Sequence, residues 1–146
     1  MKKILLSVLG GVIALPIILN ISVSAINDGI ARNVEKELRA VALPENVELL
    51  DSVSVAGKVS GNGNGMQYFG AILVSGDISE EELEKHYGAY IKDVQVEKYD
   101  SEAALDHYDI RFDNFNSDAD CYMVSAWGYV DGEFLSEFLN LDLRGH

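Results

Sequence analysis

Behind Met1-Lys2-Lys3 runs an almost unbroken apolar stretch from Ile4 to Leu19, which ends in Asn20-Ile-Ser-Val-Ser-Ala25-Ile26. A basic start before such a run has the form of an export signal. The positive-inside rule keeps Lys2 and Lys3 in the cytoplasm and places everything after the run outside the membrane. From Ile4 to Ile26 the run is long enough to cross a hydrocarbon core of about 30 Å. Val23-Ser24-Ala25 also offers the small residues that a signal peptidase cuts after. Residues 1–26 are therefore expected to be a signal anchor, the alternative being a signal peptide cleaved near Ala25 and a secreted product.

Beyond the run the apolar period changes to that of an amphipathic helix. Ile30, Val34, Leu38 and Val41 recur at helical spacing, Glu35 stands four residues before Arg39, and Pro44 stops the pattern. Residues 27–44 are expected to be a helical stalk that continues the membrane helix and docks its apolar stripe on the domain formed by residues 45–146. Val47, Leu49, Val53, Val55 and Val59 then alternate with polar residues, broken once by Asp51, as in a half-buried strand. A second apolar run covers 66–75, and the two flank Ser60-Gly-Asn-Gly-Asn-Gly65. Asn and Gly tolerate the positive φ of hairpin turns, so the pair is expected to be a β-hairpin.

Ser79 and Glu82 have capping-box spacing and open a helix over 79–91, with Leu83, Tyr87, Tyr90 and Ile91 as its buried stripe. Four short strands are expected after it, at 94–99, 107–112, 122–130 and 139–143. The strand at 122–130 is apolar on both faces and is expected to lie centrally. Phe134 and Phe138, after Asp131-Gly132, fit a short turn of helix. The sum is an α+β fold: a mostly antiparallel sheet of about six strands, with the 79–91 helix packed on one face, preceded by an N-terminal membrane or signal helix.

Composition narrows the partners. The 146 residues hold 24 acidic and 11 basic side chains, and removal of residues 1–25 takes away two lysines and no acid, leaving a formal charge of −15. No broad face can then neutralise a phosphate backbone, so nucleic acid is excluded as a partner. Cationic groups and divalent ions are favoured instead. The only cysteine, Cys121, lies far from the apolar run, which excludes a lipid-anchored lipoprotein and any internal disulfide.

Candidate chemistry is sparse. Gly61, Gly63 and Gly65 are spaced G-x-G-x-G and precede a strand, which fails the dinucleotide pattern, and Gly57-Lys58-Val59 fails the Walker pattern. Asn114, Asn116, Asp118 and Asp120 have the spacing of a calcium loop, but Ala119 and Ser125 stand where an EF-hand needs Gly and Glu. His86, His107 and His146 share no zinc spacing. Cys121 with His107 has no supporting motif. No catalytic residue, metal or cofactor is assigned. The speculative ligand-binding surface is the hairpin tip, Gly61, Asn62, Gly63, Asn64 and Gly65, together with Tyr68. Tyr68, Phe69, Tyr122, Trp127 and Tyr129 could alternatively form a sugar-stacking platform.

The stretches Ala42 to Lys58, Gly61-Asn-Gly-Asn-Gly-Met-Gln-Tyr-Phe-Gly-Ala-Ile-Leu73, Glu80 to Glu84 and the closing Leu141-Asp-Leu-Arg-Gly-His146 resemble a family of small, N-terminally membrane-anchored extracellular proteins of clostridia-type Gram-positive bacteria. The resemblance implies an anchored surface or envelope protein and brings no activity or catalytic residues with it. The expected function is that of a membrane-tethered or secreted envelope binding module, with a protein, a peptide or a wall polymer as partner. The alternatives are a small hydrolase acting on wall material and a calcium-responsive surface domain.

Overall fold

A computed structural model describes residues 2–60, 65–99, 110–113 and 120–145. Helix α1 runs without interruption through Lys2–Ala40 and contains Pro16. It is followed by β1 (Val47–Gly57), β2 (Gln67–Gly76), α2 (Glu80–Gly88), β3 (Gln95–Lys98), β4 (Cys121–Gly128), α3 (Glu133–Leu139) and a single 3₁₀ turn at Leu143–Gly145. The four strands form one antiparallel sheet in the order β1-β2-β4-β3. The fold is α+β, and β4 lies inside the sheet as its two apolar faces require.

The lower half of α1 is the main helical layer. Val23, Ala31, Val34 and Leu38 are buried against the sheet, and each such Val or Leu contributes on the order of 2 kcal/mol. The strands beneath present small residues. A Cβ on Gly70 of β2 would lie 2.5 Å from the Glu35 backbone nitrogen, and one on Gly128 of β4 would lie 2.7 Å from the Val34 side chain. The helix therefore crosses the sheet at backbone contact, in a groove paved by glycine. Helix α2 packs on the same face, where Leu83 and Tyr87 join Leu38, Ile72, Val74 and Val124 in one cluster. Ser79 and Glu82 form the expected capping box. The face opposite α1 buries Phe69, Ala71, Leu73 and Met123 under Tyr99, Ile110 and Phe112.

The break at Asp51 has a structural cause. Leu49 pairs with Val74 and Asp51 with Leu73, so Leu50 is an extra, bulged residue. One inserted residue exchanges the faces of a strand. Val47 thus joins the cluster under the helices, while Val53, Val55 and Val59 pack on the other side. Asp51 settles the bulge by accepting from the Ser52 and Asp113 amides, both at 2.8 Å.

The strand count and the helical layer differ from expectation. The sheet has four strands among the described residues, not about six. Of the strand expected at 107–112, residues 107–109 lie outside the described residues and 110–112 carry no strand pairing. The strand expected at 139–143 is a chain of tight turns, in which Asn140, Leu141 and Asp142 donate backwards to Ser136, Phe138 and Leu139. Its alternating leucines misled: Leu139 and Asp142 are buried, three residues apart, while Leu141 and Leu143 are exposed. Finally, α2 is not the single packed helix, because α1 covers more of the same face, and α2 ends at Gly88 before reaching Tyr90.

Candidate functional site

The hairpin tip can be followed only at its base, since Gly61, Asn62, Gly63 and Asn64 lie outside the described residues. The base is locked. The Gln67 side-chain oxygen accepts from the Val59 and Ser60 amides at 2.8 Å, and its nitrogen donates to Ser60 Oγ at 2.9 Å. The C-terminal segment clamps both strands from the side. Lys58 N donates to the Arg144 carbonyl at 2.8 Å, Gly65 N to the Gly145 carbonyl at 2.9 Å, and Met66 N to Asn140 Oδ1 at 2.7 Å. Gly65 takes φ +135, and a Cβ there would lie 3.3 Å from Asn140 Oδ1.

Tyr68 is buried, and its hydroxyl donates to Asn27 Oδ1 at 2.9 Å. It belongs to a polar chain inside the fold. Asn27 Nδ2 donates to the Leu139 carbonyl and to Asp142 Oδ2, and Asp142 receives Arg144 Nε and Nη2. Arg144 then reaches back to Asp28 at 2.8 Å and to the Ser24 carbonyl at 3.1 Å. Hydrogen bonds from Arg144, ahead of those from Asn27, hold the Asp142 carboxyl well below the usual carboxylate range despite its burial. The Arg144 guanidinium is pushed up, chiefly by the same carboxylate. Burial raises the Tyr68 hydroxyl, and the Asp142 charge raises it further. With its buried members Tyr68, Asn27 and Asp142 all bonded internally, the chain is a clamp between α1 and the C-terminal segment. Tyr68 faces that clamp and not a ligand surface.

An open, ligand-sized concavity lies elsewhere on the described residues. A groove of about 740 Å³ runs between α1 and the end of β4, where β4 extends past its pairing with β3. Asn33 and Glu37 of α1 form one wall, Ala126 and Gly128 the floor, and Lys92 and Asp93 the far side. Two tyrosines border it in the open: Tyr90 is 72% exposed and Tyr129 78% exposed. Such a lining supplies aromatic faces beside amide, carboxylate and ammonium groups, the mixture that holds sugar rings or an extended peptide.

The other sequence candidates do not converge. Of the five proposed platform aromatics, Phe69 and Trp127 pack edge-on at 4.9 Å on the face opposite α1, Tyr68 belongs to the clamp, and Tyr129 alone presents an exposed ring to the groove. Asn114, Asn116, Asp118, His107 and His146 lie outside the described residues. Asp120 pairs with Lys98, and Ser125 and Cys121 are buried. His86 Nε2 meets the Ala42 carbonyl at 2.7 Å, tying α2 to the end of α1. No group of three or more metal-ligating side chains occurs among the described residues. No family model, curated protein or solved structure matches the chain.

Proposed function

We propose that the chain is a membrane-tethered binding module of the cell envelope, its N-terminal segment retained and its domain outside, which holds a segment of envelope polymer or peptide in the groove between α1 and β4. One observation carries the tether: the fold uses residues that cleavage near Ala25 would discard. Val23 is buried in the cluster with Ala56, Tyr68 and Leu139. The Ser24 carbonyl accepts from Arg144, and Asn20 donates to the Leu141 carbonyl at 3.1 Å. Helix α1 is also long and apolar enough to cross a bilayer. The resemblance to anchored extracellular proteins agrees with this reading.

The groove reading rests on the two tyrosines, since water-exposed aromatic rings beside a polar cleft are the usual holders of flat sugar faces and peptide side chains. A ligand bound only by the folded state raises the melting temperature. Full-length protein in micelles is expected to be stabilised by a class of soluble wall fragments or envelope peptides. The shift is expected to vanish in the Tyr90→Ser/Tyr129→Ser double variant, whose unliganded melting temperature stays that of the wild type. An equal shift in both proteins would move binding off the groove. Replacement of Gly61–Asn64 by a short turn is expected to leave the shift intact.

A further inference from the structure

The C-terminal segment has an apolar surface that the clamp does not use. Phe134 is 82% exposed, Leu143 74% and Leu141 56%, with Leu135 open beside them. In water this is a costly arrangement for a domain with a formal charge of −15, which has ample polar residues for its surface. The position of the patch along α1 explains it. At 1.5 Å per residue, a hydrocarbon core of about 30 Å is filled by about 20 residues. With Lys2 and Lys3 at the cytoplasmic boundary, the outer boundary falls near Val23, in the stretch where polar Asn20, Ser22 and Ser24 interrupt the apolar run.

Asn20 is the residue whose side chain bonds the Leu141 carbonyl. Arg144, next to Leu143, is fixed to Ser24 and Asp28 within the following turns. Leu141 and Leu143 are thereby held at the depth where the helix leaves the lipid. Leu19 and Ile21, which flank Asn20 on α1, are themselves exposed.

We infer that the C-terminal segment from α3 to the 3₁₀ turn is a membrane-seating knob, whose Leu141, Leu143 and neighbouring Phe134 insert into the outer interfacial layer of the bilayer. The inference rests on the tether reading above. Lipid is the occupant that fits, because Leu141 is bonded to the anchor helix at Asn20, between exposed Leu19 and Ile21, and the patch is apolar. An acidic domain is repelled by anionic headgroups, so charge cannot hold it down. Shallow apolar insertion is the form of surface attachment left to it. Seating would fix the domain's orientation, presenting the same side of the groove outward in every copy.

The test is depth measurement by spin labelling of the full chain in lipid nanodiscs, from the relative accessibility of each label to oxygen and to a water-soluble nickel chelate. Labels are placed singly at Ile18, Leu143 and Tyr90 in a Cys121→Ala background whose near-UV circular dichroism matches the wild type. All three sites are exposed, so the labels leave the core undisturbed. The expected result is hydrocarbon depth at Ile18, interfacial depth at Leu143 and an aqueous signal at Tyr90. A fully aqueous Leu143 with Ile18 still in hydrocarbon would overturn the knob and leave the tether standing. An aqueous Ile18 would overturn both. A Leu141→Ser/Leu143→Ser pair, labelled at Phe134, is expected to lose oxygen accessibility at least twofold; no change would also count against the knob.

Discussion

Asp142 carries the most consequential single charge in the described fold, because it is fully buried and answered by the Arg144 guanidinium and backbone N–H and by the Asn27 amide. Its folded-state pKa lies below the ordinary 3.8, so its contribution to stability is whole above about pH 4 and is lost as the pH falls below that value. Urea midpoints of the full chain should show the consequence when compared with Asp142→Asn. The variant is expected to be less stable at pH 7, and the deficit should shrink between about pH 4 and pH 2 as the wild type loses its advantage. A deficit that stays constant through that range would mean that the carboxylate charge is not what the clamp uses. Tyr87 is the opposite case. Its ring is buried in the main cluster, its hydroxyl has no hydrogen-bond partner among the described residues, and burial pushes its pKa up. Tyr87→Phe removes an unsatisfied polar group and keeps the packing, so it is expected to stabilise the chain by about 1 kcal/mol, read as a higher urea midpoint with an unchanged slope.

At the scale of elements, what was legible depended on whether a pattern had a local cause. The capping box of α2 needs only Ser79 and Glu82, and it stands as the spacing predicts. The hairpin of β1 and β2 follows from two apolar runs and an Asn-Gly connection, and β4 lies inside the sheet because both its faces are apolar. The Leu50 bulge was marked only by Asp51, since an alternating pattern looks the same on either side of an inserted residue. Leu139-Asn-Leu-Asp-Leu143 alternates like a strand, yet the partners that turn it, Asn27 and Arg144, are distant in sequence or hidden in their roles. The groove was illegible for the same reason, because it is formed by three segments that meet only in the fold. Gly70 shows how far one element depends on another. Its lack of a side chain is what lets α1 touch β2, with a Cβ there 2.5 Å from backbone. Gly70→Ala is expected to cost about 3 kcal/mol and to loosen α1 first, seen as faster amide exchange over Ala31–Leu38 than in β1; equal loosening of both would contradict a local clash.

At the scale of the whole molecule, one helix is core layer and groove wall, and on the proposed reading it is the anchor as well. That economy links the predictions of the smaller scales. The clamp of Asp142 and Arg144 fastens the C-terminal segment to α1 around Ser24 and Asp28, and the glycine-paved crossing fastens the part around Val34 and Glu35. The groove then opens beside the same helix, at Asn33 and Glu37. A retained N-terminus is the claim on which this account turns, since a chain that begins after Ala25 would lack Val23, the Ser24 carbonyl and Asn20. Intact mass spectrometry of the mature protein, extracted from the membranes of cells that make it, tests that claim most directly. The account predicts a membrane-bound species at the mass of the full chain, 16.0 kDa. A mature species that begins at Ile26 and is recovered from the medium would contradict it.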